Sequence, residues 1–150
     1  MKTWIALCAL ATLIVTTGQA NAEEAAVVQR GTAGLSPIPF QVANGSGGPI
    51  ECDAALAHWY SASIGRADPG GSISSEFWSD AATGVVYMLN DKAERMPLQA
   101  LWCGVAGQAV STRADIRFMR RVGAIEQPVT LTCTGRTGDG KLDCRREEVR

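Results

Sequence analysis

A single histidine, His58, is all that this chain offers to the commonest acid–base and metal chemistry. A Ser-His-Asp arrangement needs such a residue beside a positioned serine and acid, and neither G-x-S-x-G nor S-x-x-K occurs. No C-x-x-C is present either, which argues against a thioredoxin-like catalyst and against the close cysteine pairs of zinc sites. Asp139 and Asp143 stand near Gly140, but the D-x-[DN]-x-[DN]-G pattern of a calcium loop is missing. These absences leave no catalytic residue, metal site or cofactor to expect, and the chain reads as non-enzymatic. His58 reads as a surface residue.

Long apolar runs are also scarce. The one at the start, Trp4 to about Val15, has roughly a dozen residues, short of the ~20 that span a bilayer. Lys2 precedes it and Ala20-Asn21-Ala22 follows, so residues 1–22 have the charged, apolar and small-residue parts of a secretory signal peptide. Cys8 would leave with that signal, and an uncleaved anchor is the alternative. No stable membrane span is expected after cleavage.

Charge is sparse and uneven. Formal net charge is −1 for the whole chain and becomes −2 once Lys2 leaves. Residues 23–100 carry four bases against nine acids, whereas 101–150 carry nine against six. A basic face for an anionic partner is one reading; evenly solvated charge is the plainer one. Nucleic acid is not expected as a partner of an exported, mildly acidic protein.

Four cysteines remain in the mature chain: Cys52, Cys103, Cys133 and Cys144. An even set in an oxidising compartment reads as two disulfides with three possible pairings. The stretch LTCTGRTGDGKLDCRR narrows them. A two-residue turn at Gly138-Asp139 would put Cys133 directly opposite Cys144, and opposed Cα atoms ~4.5–5.5 Å apart suit a disulfide. In that register Val129, Leu131, Cys133, Leu142 and Cys144 share one face while threonines and charges share the other. Cys52 then pairs with Cys103. Each bridge is worth roughly 2–4 kcal/mol, a large share of a typical ~5–15 kcal/mol stability.

Residues 23–50 read as a flexible tether, punctuated by Gly, Ser and Pro, in which Ile38, Phe40 and Val42 alternate well enough to add an edge strand. Residues 51–150 read as one disulfide-stabilised, β-rich domain. IECDAALAHWYSASIG spaces Cys52, Leu56, Trp59 and Ser63 at helical intervals, which predicts an N-terminal helix with Gly65 as its stop. SISSEFWSD, GVVYMLN, RMPLQALWC, ADIRFMRR, VTLTC and LDC follow as short segments bounded by turn formers, the pattern of an antiparallel meander. Pro97 marks an edge or a strand start, because it cannot donate to a ladder.

The remaining candidates are aromatic and basic. Glu76 and Asp80 flank Trp78 at strand spacing, but residues four apart on a strand are ~13 Å apart, beyond the reach of a glycosidase carboxyl pair. Trp102 points away from the core if Cys103 points inward, and Trp78 opposes Phe77 in the same way. Trp78 and Trp102 are therefore partner-binding candidates, with Arg117, Arg120 and Arg121 as an accessory contact surface. The core of a two-layer sheet is the competing explanation for both tryptophans.

FWSD, GVVYML and LWC together resemble the middle region of small periplasmic lysozyme inhibitors, disulfide-bearing β-barrels with an aromatic F-W pair, a strand and a later cysteine. The expected helix and the cysteine spacing depart from that family. The resemblance implies inhibition of a glycan-cleaving enzyme.

The fold expected from these readings is α+β and mainly β: one N-terminal helix disulfide-linked to an antiparallel sheet or small barrel of about six to seven strands. The function expected is contact with other envelope proteins, as a periplasmic or secreted component of a cell-envelope assembly. The alternatives are the inhibitor and a carbohydrate-binding module.

Overall fold

The computed structural model describes residues 27–147; the signal-peptide reading of 1–22 lies outside them. Nine strands form in chain order: β1 Ser36–Asn44, β2 Ile50–Leu56, β3 Ser61–Ala67, β4 Ser72–Ser79, β5 Val86–Leu89, β6 Arg95–Val105, β7 Ala114–Ile116, β8 Val129–Arg136 and β9 Leu142–Arg146. They make one mixed sheet in the order β3-β2-β6-β5-β4-β1-β8-β9, with β7 also paired to β6. Among the described residues there is no α-helix, and none long and apolar enough to cross a membrane.

The expected N-terminal helix is thus corrected to a strand hairpin, the antiparallel sheet of about six to seven strands to a mixed sheet of nine in which β1 and β8 run parallel, and the α+β class to nearly all β. The segment carries two periods at once. Cys52, Leu56 and Trp59 fit a helix, but Ile50, Cys52, Ala54 and Leu56 alternate, and it is this second set that is buried. Short apolar runs are ambiguous in this way. Here tertiary pairing decides, because β2 lies between β3 and β6 and both its backbone edges are satisfied.

The alternation Ile38, Phe40, Val42 also forms a strand, though not an edge one. β1 pairs antiparallel with β4 and parallel with β8. The Gly- and Ser-rich stretch after it is a built turn. Asn44, almost fully buried, donates through Nδ2 to Gly48 O at 2.9 Å and Ala67 O at 3.0 Å, while its Oδ1 accepts the Ser46 N–H and hydroxyl. Three aromatic rings knit the core, with Phe77 edge-on to Phe40 at 5.5 Å and to Phe118 at 5.6 Å. Such pairs add ~0.5–1.5 kcal/mol each beyond their buried area.

β6 is the long member and changes partners along its length. Arg95–Pro97 pairs with β5, whereas Leu98–Val105 pairs with β2, and Leu101–Cys103 pairs with β7 as well. Pro97 stands at the changeover, where β2 does not yet pair, so its missing N–H costs no bond on that side. Gly104 lets the 106–112 segment fold back closely: a Cβ there would lie 2.4 Å from Ala109 O, closer than atoms can approach. The far edge of the sheet comes round to the same region, since Leu142 N–H donates to Thr112 O at 2.6 Å.

Both expected disulfides are present, Cys52–Cys103 and Cys133–Cys144, each joining directly opposed residues with Cα atoms 4.0 Å apart. The hairpin reaches that register differently from the two-residue turn anticipated. Its loop is longer, with Thr137 N–H donating to Lys141 O, and a bulge between Cys133 and Gly135 takes up the extra residue. The two irregularities offset one another, and the cysteines still meet.

Sequence separations of 51 and 11 residues rank the two bridges. On chain-entropy grounds the paired Cys52→Ser/Cys103→Ser change should cost ~4 kcal/mol and Cys133→Ser/Cys144→Ser ~3 kcal/mol. Guanidinium unfolding of both variants checks the order, and a reversed order would defeat the loop-length account. Alkylation of unreduced protein should label none of these four residues.

Candidate functional site

β2 and β3 are joined by residues 57–60, in which the turn Ala57–Trp59 is closed by a hydrogen bond from Leu56 N–H to Tyr60 O at 2.8 Å. His58 and Trp59 are consecutive left-handed residues, with φ of 61° and 66°. Hairpins normally place Gly, Asn or Asp in this conformation, which costs an ordinary L-residue ~1–2 kcal/mol. Trp59 is fully exposed and Tyr60 largely so. A tryptophan at the tip of a strained loop, touching nothing, contributes no packing to the fold. Strain of this kind concentrates at sites of function.

Beside the tip runs a groove of about 660 Å³. It exists because β2 stops pairing with β6 at Leu98, after a register shift between Ala55 and Leu56. Leu56, Ala62, Met88, Met96 and Pro97 supply apolar lining, and Val27, Val28, Tyr60 and Tyr87 line it as well. Its polar members are largely occupied within the fold. Arg95 donates from Nε to Gly31 O at 2.8 Å and from Nη2 to Ala33 O at 2.6 Å. Glu94 pairs with Arg30 at 2.6 Å and accepts from Asn90 Nδ2 at 2.8 Å; these bonds, Arg30 first, hold its carboxyl below the usual range. The polar rim therefore straps residues 29–33 against β6, while the apolar lining stays open.

The candidates anticipated from sequence lie elsewhere. Trp78 is half-buried on β4 with Pro37 and Tyr87 as its cross-strand neighbours, opposite in face to the buried Phe77. Trp102 is half-buried on β6 between Asp53 and Asp115, with the Arg113 guanidinium 5.9 Å from its ring centroid. Its Nε1 is buried and has no partner among the described residues. The sheet does not bring the two tryptophans together. Arg117, Arg120 and Arg121 are exposed on the loop after β7. Asp80 supports a turn instead of a carboxyl pair, accepting from Thr83 Oγ1 and Ala82 N–H at 2.9 Å each; these bonds lower its pKa.

His58, the sole histidine, is exposed at the tip, and among the described residues no three His, Cys, Asp or Glu stand together as a metal site. The sequence reading placed Trp59 on a buried helical stripe, so the tip and groove were missed. The missed signal was the point where the alternation of β2 ends, immediately before His58-Trp59-Tyr60. No family model matches the chain, and no curated protein is detectably similar to it.

Two outcomes follow. Trp59→Gly relieves a left-handed residue without removing a contact, so equilibrium unfolding should find the variant at least as stable as the parent; a loss beyond ~1 kcal/mol would mean that Trp59 packs in the fold. Asp53 has its pKa raised by desolvation and then by the charge on Glu51, with the Ser63 hydrogen bond opposing. The folded state therefore holds that proton more tightly than the unfolded chain, and stability falls as pH rises through the window between the two values. Asp53→Asn should raise Tm at neutral pH, and the gain should vanish below about pH 3, where both forms are uncharged.

Proposed function

We propose that this is an exported protein acting by protein–protein contact, as a non-enzymatic component of a cell-envelope assembly, and that the His58–Tyr60 tip with its groove is the contact surface. The observation that carries the reading is Trp59, fully exposed on a loop held in a costly conformation beside an apolar groove. Aromatic side chains dominate interface energetics when they enter a partner's pocket, and an open cleft lined by Leu56, Met88 and Met96 can receive one in return. Two disulfides are compatible with an oxidising compartment, and the leader-like residues 1–22 favour the periplasm or the cell exterior.

A projecting aromatic tip also has the convex shape that enters an enzyme cleft, which keeps the inhibitor of a glycan-cleaving enzyme as the second reading. One experiment separates them. Tagged protein is crosslinked in intact envelopes, alongside Trp59→Ala and Tyr60→Ala. A fixed set of envelope proteins at constant ratio, lost from both variants while Tm is unchanged, is the expected result. Capture of soluble glycan-cleaving enzymes would replace this reading with inhibition, and undiminished capture by both variants would remove the tip from the interface.

A further inference from the structure

The loop between β7 and β8 has an unusual composition for a surface: Arg117, Phe118, Met119, Arg120, Arg121, Val122, Gly123, Ala124, Ile125 in succession. Met119 is 49% exposed, Val122 66% and Ile125 60%. They are held there by the fold. Phe118 alone turns inward and meets Phe77 edge-on. Arg120 adopts φ 50° and runs so close to Gly84 that a Cβ on the glycine would lie 2.6 Å from Arg120 O. Gly123 N–H donates to Ala81 O at 2.7 Å, and the buried Glu126 accepts the Arg120 N–H at 2.9 Å. Backbone tethering of this kind holds the loop with three apolar side chains in water.

The exposed charges on this loop are of one sign. Arg30, Arg113, Lys141 and Arg145 each have a carboxylate within 4.0 Å, but Arg117, Arg120 and Arg121 have none among the described residues. Arg146 donates from Nη2 to Arg117 O at 3.1 Å and so brings a fourth guanidinium alongside. Of the carboxylates packed nearby, Glu126 is buried and acts on the Arg120 guanidinium without coming within 4.0 Å of it, Asp80 is bonded to its own turn, and Asp115 is paired with Arg113. Guanidinium groups suit phosphate oxygens, and aliphatic side chains between them suit a medium that is apolar just beneath an anionic layer.

We propose that loop 117–125 docks on anionic phospholipid bilayers, with Arg117, Arg120 and Arg121 on headgroup phosphates and Met119, Val122 and Ile125 in the interface. The surface is separate from the Trp59 tip: the groove meets β5 at Tyr87–Leu89, whereas this loop packs against Gly84, which precedes that strand. Neither signal alone holds a protein at a membrane, but basic and apolar contacts together do.

Sedimentation with vesicles tests this on the intact mature protein. Vesicles rich in phosphatidylglycerol should retain it, phosphatidylcholine vesicles should not, and retention should weaken as salt rises. Arg117→Gln/Arg120→Gln/Arg121→Gln should lower partitioning on the order of a hundredfold, and Val122→Ser/Ile125→Ser should lower it too. Trp59→Ala should bind these vesicles like the parent, which keeps this result distinct from failure or success of the tip. Equal retention on both vesicle types, or no effect of salt, would overturn the proposal without reference to any variant. An undiminished Val122→Ser/Ile125→Ser protein would overturn it as well, because a purely electrostatic surface would then be binding any polyanion.

Discussion

Everything in this architecture leans on one strand that belongs to two neighbourhoods. β6 is hydrogen-bonded to β5 through Arg95–Pro97, to β2 through Leu98–Val105 and to β7 through Leu101–Cys103. A regular ladder cannot change partners without leaving backbone groups unpaired, and unpaired groups away from water are costly. Proline solves this by removing one donor at the changeover, and Cys103 locks the strand to β2 five pairs further along, opposite Cys52. The groove is the space left beside Arg95–Pro97, where β6 still pairs with β5 but β2 has stopped pairing. The site and the fold therefore share a cause.

How much of this could be read beforehand depended on how local the determining interactions were. Cys133 and Cys144 are joined by a short hairpin, so face alternation and turn chemistry were enough to pair them, and elimination then paired Cys52 with Cys103. The details within the hairpin were less legible, because a longer loop and a bulge offset each other without altering the outcome. Ile50–Leu56 was misread for the opposite reason. Its character as a strand comes from β3 and β6, which lie elsewhere in the chain, while AALA has strong local helix preference. β1 illustrates the same point: its alternation was visible, but its place between β4 and β8 was not.

The candidate site was legible only in its residue types. Exposed tryptophan was anticipated as the anchor of an interface, but the face that exposes it follows from secondary structure. A helical reading buries Trp59; a strand that ends at Leu56 puts it in a turn. Trp78 and Trp102 came out on the outer faces of β4 and β6, as alternation with Phe77 and Cys103 required, and both are half-covered. Arg117, Arg120 and Arg121 were picked out as a charged cluster. Their interleaving with Met119, Val122 and Ile125 acquires meaning only once Phe118 and Glu126 are seen to hold the loop.

The parallel pairing of β1 with β8 bears on how such a chain assembles. Phe40 lies beside Val129 and Asn44 beside Cys133, so a strand made early completes its ladder only when one made late arrives. Until then β1 presents an open edge next to β4, and the Phe40–Phe77 core is uncovered on that flank. Topologies dominated by such distant contacts fold slowly, because the entropy of closing a long loop is spent before any contact rewards it. A chain emerging from its N-terminus would pass through a stage with an exposed, apolar strand edge, the kind of species that chaperones recognise and that aggregates when left alone. Synthesis order and sheet order are at odds in this protein, and whatever keeps it soluble has to act in the interval between them.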